Sequence, residues 1–234
     1  MRGLKHSMRL LSTGLAASLA VAALTLPVIS VSTAKEKPPQ EWDGLERRTN
    51  NKKLDNLYVR PNVTFPAYKR VSIDPVDVQF DKNWDPNSGT RGVSNRLSKD
   101  DIEKIRTGLS ELFREEFSKR LTAAGYPVVE ESGEDVLRVE AALINLYVNA
   151  PEVQSSSITR SYTMDAGRVT LVMQLSDSIT HQSLARVVDT QQGMDTGRLT
   201  WTTSVSNSAE ARRIVGLWAT QLIKGLDRVN GKAD

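Results

Sequence analysis

The chain contains no cysteine and only two histidines among its 234 residues. The absence of cysteine excludes a disulfide framework, a thiol nucleophile and thiolate metal ligands. It also excludes the lipid-modified amino-terminal cysteine that anchors bacterial lipoproteins. A zinc site takes three or four ligands from His, Cys and carboxylates, and two histidines supply few of them. The chain must therefore fold around an apolar core, and we expect no metal and no cofactor.

Residues 1–34 have the pattern of a secretory signal peptide. Three basic residues and no acid accompany an apolar run over Leu10–Val31. The run ends in Ser32-Thr33-Ala34, which offers small residues where signal peptidase reads its site. We therefore expect cleavage after Ala34 and a periplasmic protein.

The alternative is that the same apolar run stays in the inner membrane as an anchor. Residues 10–31 would span a bilayer core of ~30 Å at a rise of ~1.5 Å per residue. Pro27 and the serine and threonine residues within the run favour cleavage over anchoring. No later segment of the sequence approaches the length and hydrophobicity of a membrane span.

The positive charge of the whole chain lies in the signal peptide. The sequence has 31 Lys and Arg against 28 Asp and Glu, and the excess cations are Arg2, Lys5 and Arg9. Removal of residues 1–34 therefore leaves a neutral chain, although the isoelectric point of the full sequence is near 9.1. A neutral chain lacks the broad positive field that binds phosphate polymers, so we expect no nucleic-acid partner.

Two segments are predicted to follow the signal peptide. Residues 35–57 are polar, include Pro38 and Pro39, and lack apolar periodicity. This composition predicts a flexible tether. Residues 58–230 carry the periodic apolar patterns and are long enough for a single α/β domain with its own core.

The first part of this domain predicts a strand and a helix. Polar and apolar residues alternate over Tyr68–Phe80, which predicts a strand, and Pro75 within it predicts an edge position or a bulge. Apolar residues recur at three- and four-residue steps over Ser98–Ala124. This spacing predicts an amphipathic helix, with Ser98 as its amino-terminal cap.

The second part predicts more strands and a final helix. A helix is predicted over Ala209–Val229, capped near Asn207. The predicted strands that precede it are Tyr126–Glu130, Val136–Val148, Arg168–Leu175 and Leu184–Thr190, of which the last two form a hairpin. The order β-α-β-β-β-α predicts a two-layer α/β sandwich, in which a mixed, mostly antiparallel sheet carries two amphipathic helices on one face.

Several short stretches resemble a known bacterial family. They are Tyr58-Val59-Arg60-Pro61, Tyr68-Lys69-Arg70-Val71, Ile73-Asp74-Pro75-Val76, the pair Asp177 and Thr180, and Trp218-Ala219. This pattern is similar to the domain of unknown function 3313 over roughly Gly44–Val229. The resemblance implies the family's fold and a place in the cell envelope, because members are mostly envelope lipoproteins. It implies no activity, and this chain departs from those members in lacking a cysteine for the lipid.

The sequence predicts no catalytic residue. Once residues 1–34 are removed, His181 is the remaining histidine, and it lies in a predicted turn without a glycine-flanked nucleophile nearby. Asp74 and Asp77 flank Pro75, which is typical of a charged strand edge rather than a cation site. Gly193–Gly197 lacks the lysine that a phosphate-binding loop requires.

Two long polar loops are the candidate binding region. Residues 150–167 and 191–207 exceed the usual connection length, and loops of this kind often carry binding residues. The predicted strand order places both loops at one end of the sheet. A partner-binding site is therefore predicted from Arg160, Tyr162, Arg198 and Trp201, because aromatic and arginine side chains anchor interfaces. The alternative is that Trp201 packs against the second helix.

The sequence thus predicts a non-enzymatic, exported cell-envelope protein. It would act as an interaction or structural module that binds an envelope protein or a cell-wall component. The alternative function is a small-ligand-binding periplasmic protein, or a hydrolase, with its site under the loops at residues 150–167 and 191–207.

Overall fold

The computed structural model describes residues 37–62, 68–87, 96–148, 162–163, 167–192, 200–201 and 204–232. The predicted signal peptide and the alternative anchor over residues 10–31 lie outside these ranges. Within the ranges given, no helix is both long enough and apolar enough to cross a membrane.

Two helices and a broad sheet form the described part of the chain. The helices are α1 (Lys99–Ala123) and α2 (Ser204–Val229). The strands of the sheet are β1 (Glu41–Trp42), β2 (Leu45–Arg47), β3 (Asn56–Val59), β4 (Arg70–Ile73), β5 (Asp77–Phe80), β6 (Val136–Tyr147), β8 (Arg168–Asp177) and β9 (Ser183–Gln192). Their order is β1-β2-β3-β9-β8-β6, with β4 and β5 beyond β6. A separate two-stranded sheet pairs β7 (Tyr162–Thr163) with β10 (Thr200–Trp201).

One edge of the sheet is a strand broken in two. β4 pairs in parallel with the first part of β6, from Val136 to Val139, and β5 pairs in parallel with its later part. Pro75 lies between the two short strands, and it has no N–H with which to continue the ladder. The edge position predicted for Tyr68–Phe80 is confirmed.

The two helices cover one face of the sheet and close a single core. Alternate residues of a strand point to the same face, and the inward-facing residues of β6 and β8 are buried against both helices. The buried residues of this core include Val71, Ile73, Leu137, Val139, Leu143, Leu171 and Met173 from the sheet, Phe113, Phe117 and Leu121 from α1, and Ile214, Trp218 and Leu222 from α2. The remaining strand pairs are antiparallel. The predicted α/β architecture with a mixed, mostly antiparallel sheet is confirmed.

α1 begins at a complete capping box. The Ser98 hydroxyl accepts a hydrogen bond from the Asp101 N–H at 3.2 Å, and the Asp101 carboxylate accepts one from the Ser98 N–H at 3.0 Å. The Ser98 hydroxyl also donates to this carboxylate, and these bonds lower the pKa of Asp101 below its usual value. Two of the amide groups that a helix start leaves unpaired are therefore satisfied.

The structure corrects the tether predicted over residues 35–57. β1 and β2 form a hairpin there, whose turn contains Asp43 and Gly44 in the left-handed region at φ 54° and 73°. β3 starts at Asn56 and pairs with β9. Leu45 is fully buried, which fixes the hairpin on the sheet. These strands are too short and too polar to show an alternating pattern, so no periodic signal marks them.

Other predicted boundaries also shift. Residues 126–130 contribute a single bridge between Val128 and Val71 rather than a strand. α2 begins at Ser204 instead of Ala209, so Asn207 lies within the helix and does not cap it. β8 and β9 extend beyond their predicted ends to Asp177 and Gln192. The ladder between them runs from the pair Arg168–Gln192 to the pair Ser176–Ser183, because the backbone of polar residues carries the same donors and acceptors.

Gly167 lies where an added side chain would meet backbone. A Cβ at this position would be 2.7 Å from the carbonyl oxygen of Tyr147, whereas a Cβ at Gly108 in α1 meets no heavy atom within 4 Å. We expect Gly167→Ala to lower the free energy of unfolding by about 1–3 kcal/mol through overpacking. Gly108→Ala should raise it by about 1 kcal/mol through helix propensity. Urea denaturation measures both, and equal effects of the same sign would contradict this account of Gly167.

Candidate functional site

The residues of the predicted loop site are only partly described. β7 and β10 are antiparallel, and their register pairs Tyr162 with Trp201. The two loops therefore meet at the backbone level through these two residues. Arg160 and Arg198 lie outside the described residues, so the site formed by all four remains a prediction.

A large cavity lies on the helix side of the sheet. Its volume is about 1190 Å³, and it runs between the carboxyl-terminal half of α2 and strands β3, β8 and β9. Strands are spaced ~4.8 Å apart and packed helices 8–10 Å apart, so two helices cover roughly four strands. This sheet is wider than that. Among the residues that the structure describes, no third helix lies above the helix-facing side chains near β3, and these residues leave a space beside α2.

The floor of the cavity is apolar. The sheet contributes Leu171, Met173 and Val187, and α2 contributes Trp218 and Leu222. Each of these side chains is at most 5% exposed. Trp218 and Leu222 are four residues apart, so they share the face of α2 that points at the sheet. These side chains close the bottom of the cavity, and the apolar surface that remains open to a ligand comes from the half-buried Leu54, Leu57 and Leu175.

The mouth of the cavity is lined by cations from two elements. Arg48, Lys52 and Lys53 come from the segment between β2 and β3, and Lys224 and Arg228 come from α2. All five residues are exposed. In the described part of the chain, none of them has a carboxylate within ion-pair distance. The positive charge at the mouth is therefore not neutralised by neighbouring side chains.

Asp227, the acidic residue among the lining residues, contacts side chains outside the mouth. Asp227 accepts a hydrogen bond from the Tyr126 hydroxyl at 2.8 Å and pairs with Lys232 at 3.6 Å. Lys232 also lies over the Tyr126 ring, 4.1 Å from its centroid. Its contact with Tyr126, with smaller electrostatic contributions from Asp227, raises the pKa of Lys232. The Asp227 carboxylate thus belongs to a local cluster at the end of α2 rather than to the mouth.

A buried carboxylate, Asp189, holds α2 to the sheet beside the cavity. Asp189 is 2% exposed. It accepts hydrogen bonds from the Trp218 indole N–H at 2.7 Å, from the Asp55 backbone N–H at 2.9 Å and from the Gln191 side-chain amide at 2.7 Å. A buried charge is costly unless it is hydrogen-bonded, and these three donors satisfy it. One side chain thereby joins β9, α2 and the segment that leads into β3.

The segment before β3 is bonded back to β9 a second time. The Asp55 carboxylate accepts a hydrogen bond from the Thr190 N–H at 2.9 Å. Asp55 and β9 therefore exchange two hydrogen bonds, one in each direction. This exchange positions the end of the segment that carries Arg48, Lys52 and Lys53.

Tyr68 forms a further part of the cavity wall. Its hydroxyl donates to the Asp177 carboxylate at 3.1 Å, and burial, together with this bond, raises the pKa of Tyr68. The same carboxylate accepts hydrogen bonds from the Thr180 and Ile179 N–H groups, and the bond from Thr180 does most to lower the pKa of Asp177. The phenol therefore stays protonated and serves as a fixed wall.

The other residues weighed from the sequence do not converge on a site. His181 is exposed in the β8–β9 turn, where one ring nitrogen lies 3.2 Å from the Arg138 guanidinium. Asp74 pairs with Arg138 at 2.6 Å, and Asp77 accepts a hydrogen bond from Gln79. Across the described ranges, no group of three or more His, Cys, Asp or Glu side chains is placed to hold a metal ion.

Sequence reasoning missed both the cavity and Asp189. One signal for Asp189 was present: Ala185, Val187 and Asp189 share a face of β9 by their spacing, and an acid on an apolar face needs buried donors. The cations of the mouth gave no signal because Arg48, Lys52 and Lys53 were attributed to the tether. The cavity depends on the width of the sheet relative to the helices, which is a non-local property.

We expect substitutions at Asp189 and Trp218 to have coupled effects on the free energy of unfolding, because the two side chains share a hydrogen bond. Asp189→Ala leaves the buried Trp218 indole N–H and the part-buried Asp55 N–H without an acceptor, and should lower the free energy of unfolding by about 2–4 kcal/mol. Trp218→Phe should lower the free energy of unfolding by less, because Asp189 keeps its hydrogen bonds from Asp55 and Gln191. The double variant should lose less free energy of unfolding than the sum of the two single losses, by about 0.5–3 kcal/mol.

Urea denaturation of the two single variants and the double variant measures the coupling. Asp77→Ala, at an exposed carboxylate on β5, is the control and should change the free energy of unfolding by less than about 0.5 kcal/mol. Strict additivity of the variants at Asp189 and Trp218 would contradict the assigned bond.

Comparison with known proteins matches the sequence to a protein family. The model of the family described as "Protein of unknown function (DUF3313)" matches residues 35–222, most of the chain. The resemblance inferred from the sequence is therefore confirmed. Among curated proteins, none matches this chain.

Solved structures with low sequence identity are also similar to the chain. A PelC dodecamer from Paraburkholderia phytofirmans is 8% identical over 69% of this chain and 94% of its own, with a TM-score of 0.33. A minor lipoprotein from Acinetobacter baumannii is 14% identical over 71% and 97%, with a TM-score of 0.30. A DUF330 protein from Xanthomonas campestris is 11% identical over 74% and 92%, with a TM-score of 0.38.

Proposed function

This chain belongs to the DUF3313 family, and we propose that it is an exported cell-envelope protein that acts by binding a hydrophobic molecule rather than by catalysis. The observation that carries the proposal is the cavity of about 1190 Å³ between α2 and strands β3, β8 and β9. Pockets for small molecules are concave, mostly apolar, and about 300–1,000 Å³ in volume. This cavity reaches past the upper end of that range, so it has room for a ligand with a large apolar body.

Export is supported by the sequence pattern of residues 1–34. A basic start, an apolar run and a small-residue exit are the three parts of a secretory signal. The chain without these residues is neutral and has no cysteine. Both properties suit a protein that folds in the envelope without disulfides or a lipid anchor.

Binding without catalysis is supported by the side chains around the cavity. Two of its polar wall groups, the Tyr68 hydroxyl and the Asp227 carboxylate, are hydrogen-bonded to other side chains. Asp189, beside it, already accepts three hydrogen bonds. A catalytic acid or base must reach the substrate, and these groups are committed to the fold.

The location of the cavity differs from the alternative site considered from the sequence, which lies under the loops at residues 150–167 and 191–207. The loops join β8 at Arg168 and β9 at Gln192, whereas the cavity extends toward Leu175 and Leu184, next to the β8–β9 turn. The proposed ligand site is therefore near the opposite ends of these strands.

We expect the protein to bind the neutral fluorescent probe N-phenylnaphthylamine saturably. Gly225 lines the cavity, and a Cβ there meets no heavy atom within 4 Å. Gly225→Phe should therefore fill part of the cavity without a backbone clash and weaken the probe's affinity by about tenfold, equivalent to ~1.4 kcal/mol of lost contact. Titration with direct excitation of the probe measures the dissociation constant.

Gly108→Phe is the matched control. Gly108 is also a helical glycine with open space around it, but it lies on α1 and away from the cavity. It should leave probe binding unchanged. A wild-type protein that does not bind the probe, or equal losses in the two variants, would contradict the proposed function.

A second candidate is recognition of an envelope protein or a cell-wall component by the loop residues Arg160, Tyr162, Arg198 and Trp201. The pairing of Tyr162 with Trp201 across β7 and β10 favours it, because the two loops then meet. Exposed aromatic and arginine residues often anchor such interfaces.

Photo-crosslinking in the periplasm tests this second candidate. A benzoylphenylalanine in place of Trp201 should give a reproducible adduct, and Arg160→Ala with Arg198→Ala should reduce its yield several-fold if arginine anchors the partner. The same crosslinker at Lys119, an exposed position on α1, is the control. An identical adduct pattern from Trp201 and Lys119, or no adduct from Trp201, would overturn the candidate.

A further inference from the structure

We propose that the ligand of the cavity is an anionic amphiphile, held with its apolar tail on the floor and its acidic head group at the mouth. This inference rests on the proposed binding function and specifies its ligand class. The occupant is a molecule with a long hydrocarbon tail and a carboxylate or phosphate head group. A neutral or cationic amphiphile would fit the floor but not the mouth.

The orientation of the ligand follows from how α2 divides its side chains. Trp218, Leu222 and Leu226 lie on the face that meets the sheet, and each is at most 5% exposed. Lys224 and Arg228 are four residues apart on the neighbouring stripe and are exposed. A single helix thus presents apolar groups to the inside of the cavity and cations to its opening. A ligand whose hydrocarbon tail lies inside and whose anionic head group lies at the opening would contact both the apolar and the cationic stripe of α2.

The head group faces cations on both sides of the mouth. Across from Lys224 and Arg228, the segment between β2 and β3 supplies Arg48, Lys52 and Lys53. Within the described ranges these side chains have no carboxylate partner, and the lining acid Asp227 is bonded to Tyr126 and Lys232. The opening therefore has an unbalanced positive charge that an anionic head group would neutralise.

This concentration of charge does not reflect the charge of the whole protein. Without residues 1–34 the chain has equal numbers of cationic and anionic residues. Cations described elsewhere in the fold are either paired, as Arg168 is with Asp81, or exposed singly along an element, as Lys99 and Lys119 are on α1. The mouth differs from both because five cations without a described carboxylate partner line one opening. Lys and Arg bind carboxylates and phosphates through charge-assisted hydrogen bonds, and Arg can do so with two parallel bonds.

Displacement of N-phenylnaphthylamine by amphiphiles with one dodecyl chain tests the inference. Dodecanoate, dodecyl phosphate, dodecanol and dodecyltrimethylammonium share their tail and differ in head group, and each is used below its micelle concentration. We expect dodecanoate or dodecyl phosphate to bind about tenfold more tightly than dodecanol, and the cationic amphiphile to bind least. The ratio between the two anions distinguishes a carboxylate from a phosphate head group.

A second experiment removes positive charge from the mouth of the cavity. Lys224→Gln with Arg228→Gln should weaken the better anion by about tenfold and leave dodecanol unchanged, because two partly exposed ion pairs are lost while the apolar floor is intact. Lys99→Gln with Lys119→Gln, at exposed lysines on α1, removes the same number of charges away from the cavity. This control should retain wild-type affinities.

The outcomes separate this inference from the function on which it rests. Equal affinity for the anions and dodecanol, together with loss of both in Gly225→Phe, would overturn the inference and leave the hydrophobic cavity as a binding site. Tighter binding of the cationic amphiphile would also overturn it. Failure of the wild-type protein to bind the probe and every amphiphile would overturn the proposed function itself. A drop in anion affinity confined to the variant at Lys224 and Arg228 supports the inference.

Discussion

The buried carboxylate of Asp189 is the constraint on which the cavity depends. It lies on the apolar face of β9, where an unsatisfied charge would cost more than most single contacts contribute. Its donors, Trp218, Asp55 and Gln191, come from α2, from the segment that leads into β3 and from β9 itself. None of these elements can move away without leaving the carboxylate short of a donor. The bond fixes the middle of α2 on the sheet, while the rest of the helix continues past it along the open side of the cavity.

The shape of the binding region follows from this single attachment. With α2 held at Trp218, its next turns carry Leu222 and Leu226 over the inner strands and Lys224 and Arg228 along the opening. The sheet provides the opposite wall, and no helix of the described ranges lies above β3. A cavity with an apolar inside and a cationic edge is therefore a result of the packing of ordinary amphipathic elements, and it needs no special motif. This explains why no recognisable catalytic or binding signature marks it in the sequence.

Local signals were sufficient for part of the fold and insufficient for the candidate site. The helix after Ser98 was predictable because its cap and its apolar spacing lie within one stretch of sequence. Pro75 likewise predicted an edge position or a bulge from a single residue, although not the division of the predicted strand into β4 and β5. The strands before residue 60 were missed because β1 and β2 are two and three residues long, too short for a period to show. The cavity brings together residues between 48 and 68 and residues between 137 and 229, and the three-dimensional pairing of β3 with β9 makes the distant segments neighbours.

The broken strand at the other edge has a consequence for how copies of this protein can meet. An open sheet edge is a template on which a neighbouring chain can add its own strand. Here that edge consists of two four-residue strands separated at Pro75, with Asp74 held by Arg138 and the exposed Asp77 beyond it. An extended strand from a neighbour would lose its hydrogen bonds at the break and would face carboxylates on either side. Strand addition is therefore disfavoured at this edge, where the Val71 backbone is also bonded to Pro127 and Val129. A neighbouring copy would have to pair at the β1 edge or pack through side chains.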